Sequence, residues 1–272
     1  MSVRTACLAA VLSYLAAACG GGGNGADGSA ETLPPPPAPV SDVALSWDHA
    51  RVYLPFSSTP TSVDQLDSAP PSRVAVFLHG CTGLDSPDTI GTDQDWGTFL
   101  AQQGYIVIMP DSMARPSRQG VLTCNPATFE RGLNMWIYDL RIEEANFALR
   151  KVLDARWYDG SRLILGGHSE GAATVYRSTY DGASDLVMSG FWCAPGVTRA
   201  KPAQAVFYLN WSKDPWYYTG GAPFDGAQCL VPGYRITSVT VSGAFHDGLT
   251  DPVAKQDAAA FAGPTGEPSH GP

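Results

Sequence analysis

The stretch Leu163 to Tyr176, L-I-L-G-G-H-S-E-G-A-A-T-V-Y, constrains this chain more than any other, with Ser169 at the centre of Gly167-His168-Ser169-Glu170-Gly171. It reads as a nucleophile elbow: a buried strand ends in a tight turn and a helix begins at once, so the serine hydroxyl stands clear of the backbone. Glycine at both flanks has a steric reason. A side chain two residues to either side of a serine in strained backbone geometry would strike the neighbouring strand or helix. The bare pattern G-x-S-x-G arises by chance in roughly one chain in ten of this length. Its context is what carries weight: Arg162 to Leu165 reads as an apolar strand, and Ala172, Ala173, Val175 and Tyr176 as the start of a helix packed against it.

The chain opens with an address. Arg4 precedes an apolar run from Ala6 to Ala18, too short for a stable membrane span and typical of a secretory signal, which sets residues 1–18 apart. The run ends in Ala16-Ala17-Ala18-Cys19-Gly20, which resembles the lipobox of bacterial lipoproteins, although Leu15 lies one position further from Cys19 than the leucine of that pattern usually does. Cys19 is therefore expected to carry a lipid at the cell envelope, the alternative being plain secretion. Gly20 to Gly25 and Leu33 to Pro39 have nothing to bury, so residues 19–42 read as a flexible tether. Residues 43–262 have the length of one domain, and 263–272 read as a flexible tail. With 17 Lys and Arg against 26 Asp and Glu, a formal charge of −9 argues against nucleic acid and against attraction to anionic lipid, so the lipid is the expected membrane contact.

Strand and helix signals alternate through the domain. Ala44 to Leu54 reads as an edge strand, Arg73 to Leu78 and Tyr105 to Met109 as buried strands, and Asp95 to Gln103 as a short helix between them. A long helix is expected from Phe129 to Ala155, with Leu133, Trp136, Ile137, Leu140, Val152 and Leu153 near one face. Leu186 to Trp192, Ala205 to Leu209 and Ile236 to Val241 read as strands, and Pro252 to Phe261 as the last helix. Alternation of this kind implies an α/β fold, a mostly parallel central sheet flanked by helices, with ligands gathered at the carboxyl ends of the strands.

The candidate catalytic residues fall at those ends. Ser169 follows one strand, Asp214 another and His246 the last; the order Ser, Asp, His is that of the α/β-hydrolase fold. A free serine is a poor nucleophile, so an imidazole must take its proton and a carboxylate must hold that imidazole in the right tautomer. His49, His79, His168 and His270 are worse placed than His246, and Asp214 competes with Asp225, Asp247 and Asp251. The oxyanion hole is expected from the backbone N–H groups of Glu170 and Cys81. The Glu170 carboxylate has two readings, favourable placement at a helix N-terminus or contact with substrate. Trp211, Trp216, Tyr217 and Tyr218 bracket Asp214 and either wall a substrate cleft or pack in the core.

Beyond the signal and Cys19, the cysteines are Cys81, Cys124, Cys193 and Cys229, an even set behind a secretory signal, which favours disulfides over metal ligation. Three pairings are possible. Cys81 and Cys124 follow neighbouring strands at one sheet end, and Cys193 and Cys229 flank the Asp214 loop, so the expected bridges are Cys81 to Cys124 and Cys193 to Cys229.

Leu78-His79-Gly80-Cys81-Thr82-Gly83, Gly104-Tyr105 leading to Pro110-Asp111-Ser112, Asp139 with Arg141, the elbow, and Gly243-Ala244-Phe245-His246 together resemble the dienelactone hydrolase family of α/β-hydrolases across nearly the whole domain. The resemblance implies hydrolysis of carboxylic esters or lactones through an acyl-enzyme, with no metal or organic cofactor. The enzyme that names the family has a cysteine nucleophile where this chain has Ser169. A secreted serine version is also similar to the polyester-hydrolase and cutinase-like branch, where methionine usually occupies the position of Glu170. The expected partner is thus a small-molecule or polymeric ester. A non-catalytic surface binding lipoprotein, or a transferase or peptidase on the same triad, are the alternatives.

Overall fold

The structure is a computed structural model that describes residues 42–84, 90–118, 121, 123–131, 135–179, 182–193, 199–246 and 249–263. The expected signal, Cys19, most of the expected tether and tail, Leu133 and Asp247 lie outside them. In chain order the described elements are α1 (Val43–Asp48), β1 (Arg51–Tyr53), β2 (Ser72–Leu78), α2 (Ile90–Gln102), β3 (Tyr105–Met109), a short hairpin of β4 (Cys124–Asn125) and β5 (Glu130–Arg131), α3 (Met135–Leu153), β6 (Tyr158–His168), α4 (Glu170–Arg177), β7 (Asp185–Ser189), β8 (Ala205–Trp211), β9 (Arg235–Val241) and α5 (Pro252–Ala262).

The main sheet has the order β1-β3-β2-β6-β7-β8-β9, with β1 antiparallel to β3 and every other pairing parallel. Parallel strands are buried on both faces, which is why β3 and β8 are continuous apolar or buried runs. Their side chains alternate between two cores. Val74, Val76, Leu78, Leu163, Leu165 and Met188 pack with Trp47 of α1, Leu149 and Val152 of α3 and Val175 of α4. Ala75, Phe77, Val107, Ile164, Phe207 and Leu209 pack on the opposite side with Trp96 and Leu100 of α2 and Phe261 of α5. This is the mostly parallel sheet flanked by helices that the alternation of elements predicts. Among the described residues no helix is long and apolar enough to cross a membrane.

Strand order also sets where a ligand can bind. The chain steps from β2 outward to β3, then returns across β2 to β6, so β2 and β6 diverge at a switch point and leave a crevice at their carboxyl ends. Cys81 follows β2 and Ser169 follows β6, so both lie at that crevice.

Several element boundaries differ from the sequence expectation. Val43 to Asp48 is helical, not part of an edge strand: Val43, Ser46 and Trp47 are its buried residues, at the three- and four-residue spacing of one helical face. The long helix begins at Met135, because the segment before it is spent on the hairpin. Trp136 and Leu153 are exposed, and the buried stripe instead runs through Ile137, Arg141, Glu144, Ala148, Leu149 and Val152. Ile137 and Val152 lie on it as expected, whereas Arg141 and Glu144 are charged residues, which sequence reads as surface. β7 stops at Ser189, where Gly190 at φ 62° turns the chain, so Trp192 is outside the strand.

Candidate active site

Ser169 has φ 54° and ψ −115°, a backbone state that side chains rarely adopt. Its N–H donates to Ser189 O at 2.8 Å, and its carbonyl accepts from Ala173 N at 3.0 Å, so the neighbouring strand and the new helix hold the turn from both sides. The flanking glycines are required by contact. A Cβ on Gly167 would come within 2.4 Å of the Gly171 carbonyl carbon, and one on Gly171 within 2.1 Å of Leu78 O. The elbow therefore seats directly on the end of β2.

Asp214 is wholly buried after β8. Its Oδ2 lies 2.6 Å from His246 Nδ1, and its Oδ1 accepts from Trp216 N at 2.9 Å. The carboxylate must accept, so the bond assigns the imidazole hydrogen to Nδ1 and leaves Nε2 as a base. That Nε2 is buried with no hydrogen-bond partner among the described residues, so Ser169 Oγ is not yet bonded to it. A gap here is common before substrate arrives. The other acids are committed elsewhere: Asp225 accepts from Ala227 N, and Asp251 accepts from Val253 N and Ala254 N at the start of α5.

Two further histidines shape the site without matching that role. His168 is buried with its ring centroid 4.7 Å from that of His246; burial, then the neighbouring His246, lowers its pKa well below 6.5. Gly190 makes room for this pair, since a Cβ there would meet His168 at 2.7 Å and His246 at 3.0 Å. His79 is also wholly buried, with Nδ1 2.6 Å from Gly80 O and Nε2 3.0 Å from Ser112 N. It therefore donates at one nitrogen and accepts at the other, a neutral clip between the loops after β2 and β3. Burial, then nearby Arg141, lowers its pKa well below 6.5.

Cys81 and Cys124 form one disulfide, and Cys193 and Cys229 the other. The first borders a narrow cleft lined also by Ser169, Glu170, Thr123, Tyr138, Trp216 and Tyr217. Trp216 and Tyr217 thus stand on the cleft wall. Trp211 does not: it ends β8, is buried, and packs edge-on against Phe245 with centroids 5.0 Å apart. It is a strand residue whose alternation takes it into the fold, so of its two readings packing holds and its place among the substrate-binding candidates falls. A larger groove of about 480 Å³ lies between α2 and α5 and includes neither Ser169 nor His246.

The Glu170 side chain meets neither of its expected settings alone. Its Oε1 accepts from Arg118 Nη2 at 2.9 Å and from Arg141 Nη1 at 2.7 Å, while Oε2 accepts from Arg118 Nη2 at 3.1 Å and from the Thr123 hydroxyl. Arg118 and Arg141 are completely buried. The ionic chain continues through Arg141 to Glu144 at 3.9 Å, from Glu144 to Arg115 at 3.3 Å, and from Arg115 to Asp42 at 2.6 Å. Burial raises the Glu144 pKa, against the pull of Arg141. Sequence reasoning missed Arg118, Thr123 and Glu144 here; the one available signal was Arg141 and Glu144 recurring three residues apart on an otherwise apolar helical stripe.

No protein-family model matches the chain, and no curated protein matches it. Among solved structures it is similar to the esterase domain of a Rhodothermus marinus protein, at 17% identity and TM-score 0.47, covering 80% of this chain and 90% of that one. It is similar to a dienelactone hydrolase-like promiscuous phosphotriesterase from metagenomic libraries, at 14% identity and TM-score 0.47, covering 75% and 86%. A third is esterase 2 of Thermogutta terrifontis, at 15% identity and TM-score 0.46, covering 78% and 86%. At such identities and scores nothing of those proteins' activity transfers to this chain.

Proposed function

We propose that this chain is a serine hydrolase of carboxylic esters acting through an acyl-enzyme. The observation that carries the reading is the His246 to Asp214 contact of 2.6 Å, with Nε2 left unpartnered, in a fold that presents Ser169 at the switch-point crevice. Ser169 Oγ attacks the acyl carbon as its proton passes to His246 Nε2, and Asp214 stabilises the resulting imidazolium. The carbonyl oxygen becomes an oxyanion facing the backbone N–H groups of Cys81 and Glu170, each such donor being worth about 3 kcal/mol in the transition state. The C–O bond breaks, and His246 returns the proton to the departing alkoxide. Water then repeats the cycle on the acyl-serine and releases the acid.

The cleft beside Ser169 is narrow and bordered by a disulfide and aromatic rings, which supports short acyl groups. The test joins a fluorophosphonate probe to a p-nitrophenyl ester series. Labelling at Ser169, abolished in Ser169→Ala, with acetate or butyrate turned over faster than octanoate, is expected. An unlabelled wild-type protein that hydrolyses none of the series overturns the proposal and leaves the surface-binder alternative. A polymeric ester is the second reading. It is favoured by Phe129, 46% exposed against Trp216, and Phe245, 61% exposed beside His246. Release of soluble acid from an amorphous polyester film tests it.

A further inference from the structure

The two expected oxyanion donors belong to segments 89 residues apart, Cys81 after β2 and Glu170 after β6. A backbone donor stabilises a developing charge only if it is already in place, since a shift of about 1 Å can cost on the order of a hundredfold in rate. The segment around Thr123 and Cys124 touches both. Cys124 is bonded to Cys81, and its neighbour Thr123, itself buried, donates its hydroxyl to Glu170 Oε2. On the far side, Arg118 and Arg141 grip the same carboxylate at 2.9 and 2.7 Å.

We infer that Thr123 and the Cys81 to Cys124 bond form a strap across the oxyanion hole, holding its two backbone N–H donors at a fixed separation, with Thr123 as a positioning residue that acts through the Glu170 carboxylate. This rests on the serine-hydrolase reading. The strap explains why a carboxylate next to the nucleophile is buried with two guanidinium groups rather than offered to substrate: the side chain is the handle by which its own N–H is held. It also explains why the disulfide borders the cleft. Trp216 and Tyr217, from the Asp214 loop, complete the lining of that cleft.

The experiment compares wild-type protein with Thr123→Val, Thr123→Ser and the double variant Cys81→Ser with Cys124→Ser, using p-nitrophenyl acetate and a trifluoromethyl ketone that forms a tetrahedral adduct on serine. Thr123→Val keeps the shape and removes the hydroxyl. It is expected to lower kcat about 10- to 100-fold with KM within about twofold, and to weaken the ketone by the same factor. Thr123→Ser restores the hydroxyl and should recover kcat to within about threefold of wild type. Circular dichroism establishes folding; if Thr123→Val is unfolded, the double cysteine variant carries the test, with the same loss of kcat and ketone affinity at unchanged KM. Unchanged kcat in the folded variant overturns the inference, as does a loss confined to KM or one that leaves ketone affinity intact. Failure of the underlying reading is distinct, because wild-type protein would then neither react with fluorophosphonate nor bind the ketone.

Discussion

Ser169 and Glu170 are neighbours under opposite constraints. Ser169 holds strained backbone geometry and makes no side-chain hydrogen bond as the helix cap, so its hydroxyl is free for chemistry. Ser169→Ala should lower kcat by at least about 10⁴-fold while changing stability by no more than about 0.5 kcal/mol; retained turnover with the same substrate range would remove Ser169 as nucleophile. Glu170 is the counter-ion of two buried guanidinium groups. Removing one partner of a buried ion pair leaves an uncompensated charge, so Glu170→Ala should cost about 3 to 5 kcal/mol in urea unfolding. A loss under about 1 kcal/mol would mean that the arginines find water or another acceptor.

Elements here are joined by side chains at the loop ends as well as by the sheet. The neutral His79 clip ties the loops after β2 and β3, and His168 lies beneath His246. Both have folded-state pKa values lowered by burial, so both bind a proton more readily when unfolded. Their contribution to stability is complete above the unfolded value near 6.5 and is lost as pH falls from there toward the folded values, by up to about 1.4 kcal/mol per pH unit for each. Glu144 opposes them: its pKa is raised by burial, so it gains stability as pH falls through its folded value. The two histidines outnumber it, and unfolding free energy should drop between pH 7 and pH 5.5. Urea midpoints that stay level or rise over that range would contradict the neutral assignment. The disulfides act at the same scale, and each should contribute about 2 to 4 kcal/mol. Non-reducing peptide mapping is expected to return Cys81 with Cys124 and Cys193 with Cys229.

For the whole molecule, the edge of the folded unit is marked by Asp42. Its carboxylate accepts from Arg115 at 2.6 Å and from Ser117 N at 3.1 Å, the outer end of the ionic chain that reaches Glu170. Limited proteolysis should therefore release an active fragment beginning near Ser41, whereas cleavage inside α1 should cost stability. We propose that residues 1–18 are removed as a signal and that Cys19 is lipidated. Intact mass of membrane-fraction protein should show the lipid, and an unmodified Cys19 would overturn the lipid anchor.

The features legible in the sequence are those whose physics is local. Glycine on both sides of Ser169 reports a steric demand between residues a few positions apart, and the run Tyr105–Met109 reports a strand buried on both faces. The cysteine pairing, and the placing of Ser169, Asp214 and His246 after strands, were legible once a parallel sheet was assumed, because each residue had only to be placed at a strand end. Tertiary structure decided the rest. A charged residue reads as surface, and only a folded chain shows that Arg118, Thr123 and Arg141, at separations of 52, 47 and 29 residues, converge on Glu170 and make its burial tolerable. The helix at Val43–Asp48 and the inward turn of Trp211 were decided in the same way: short segments carry too little periodicity to declare a face, so the neighbours available for packing choose it.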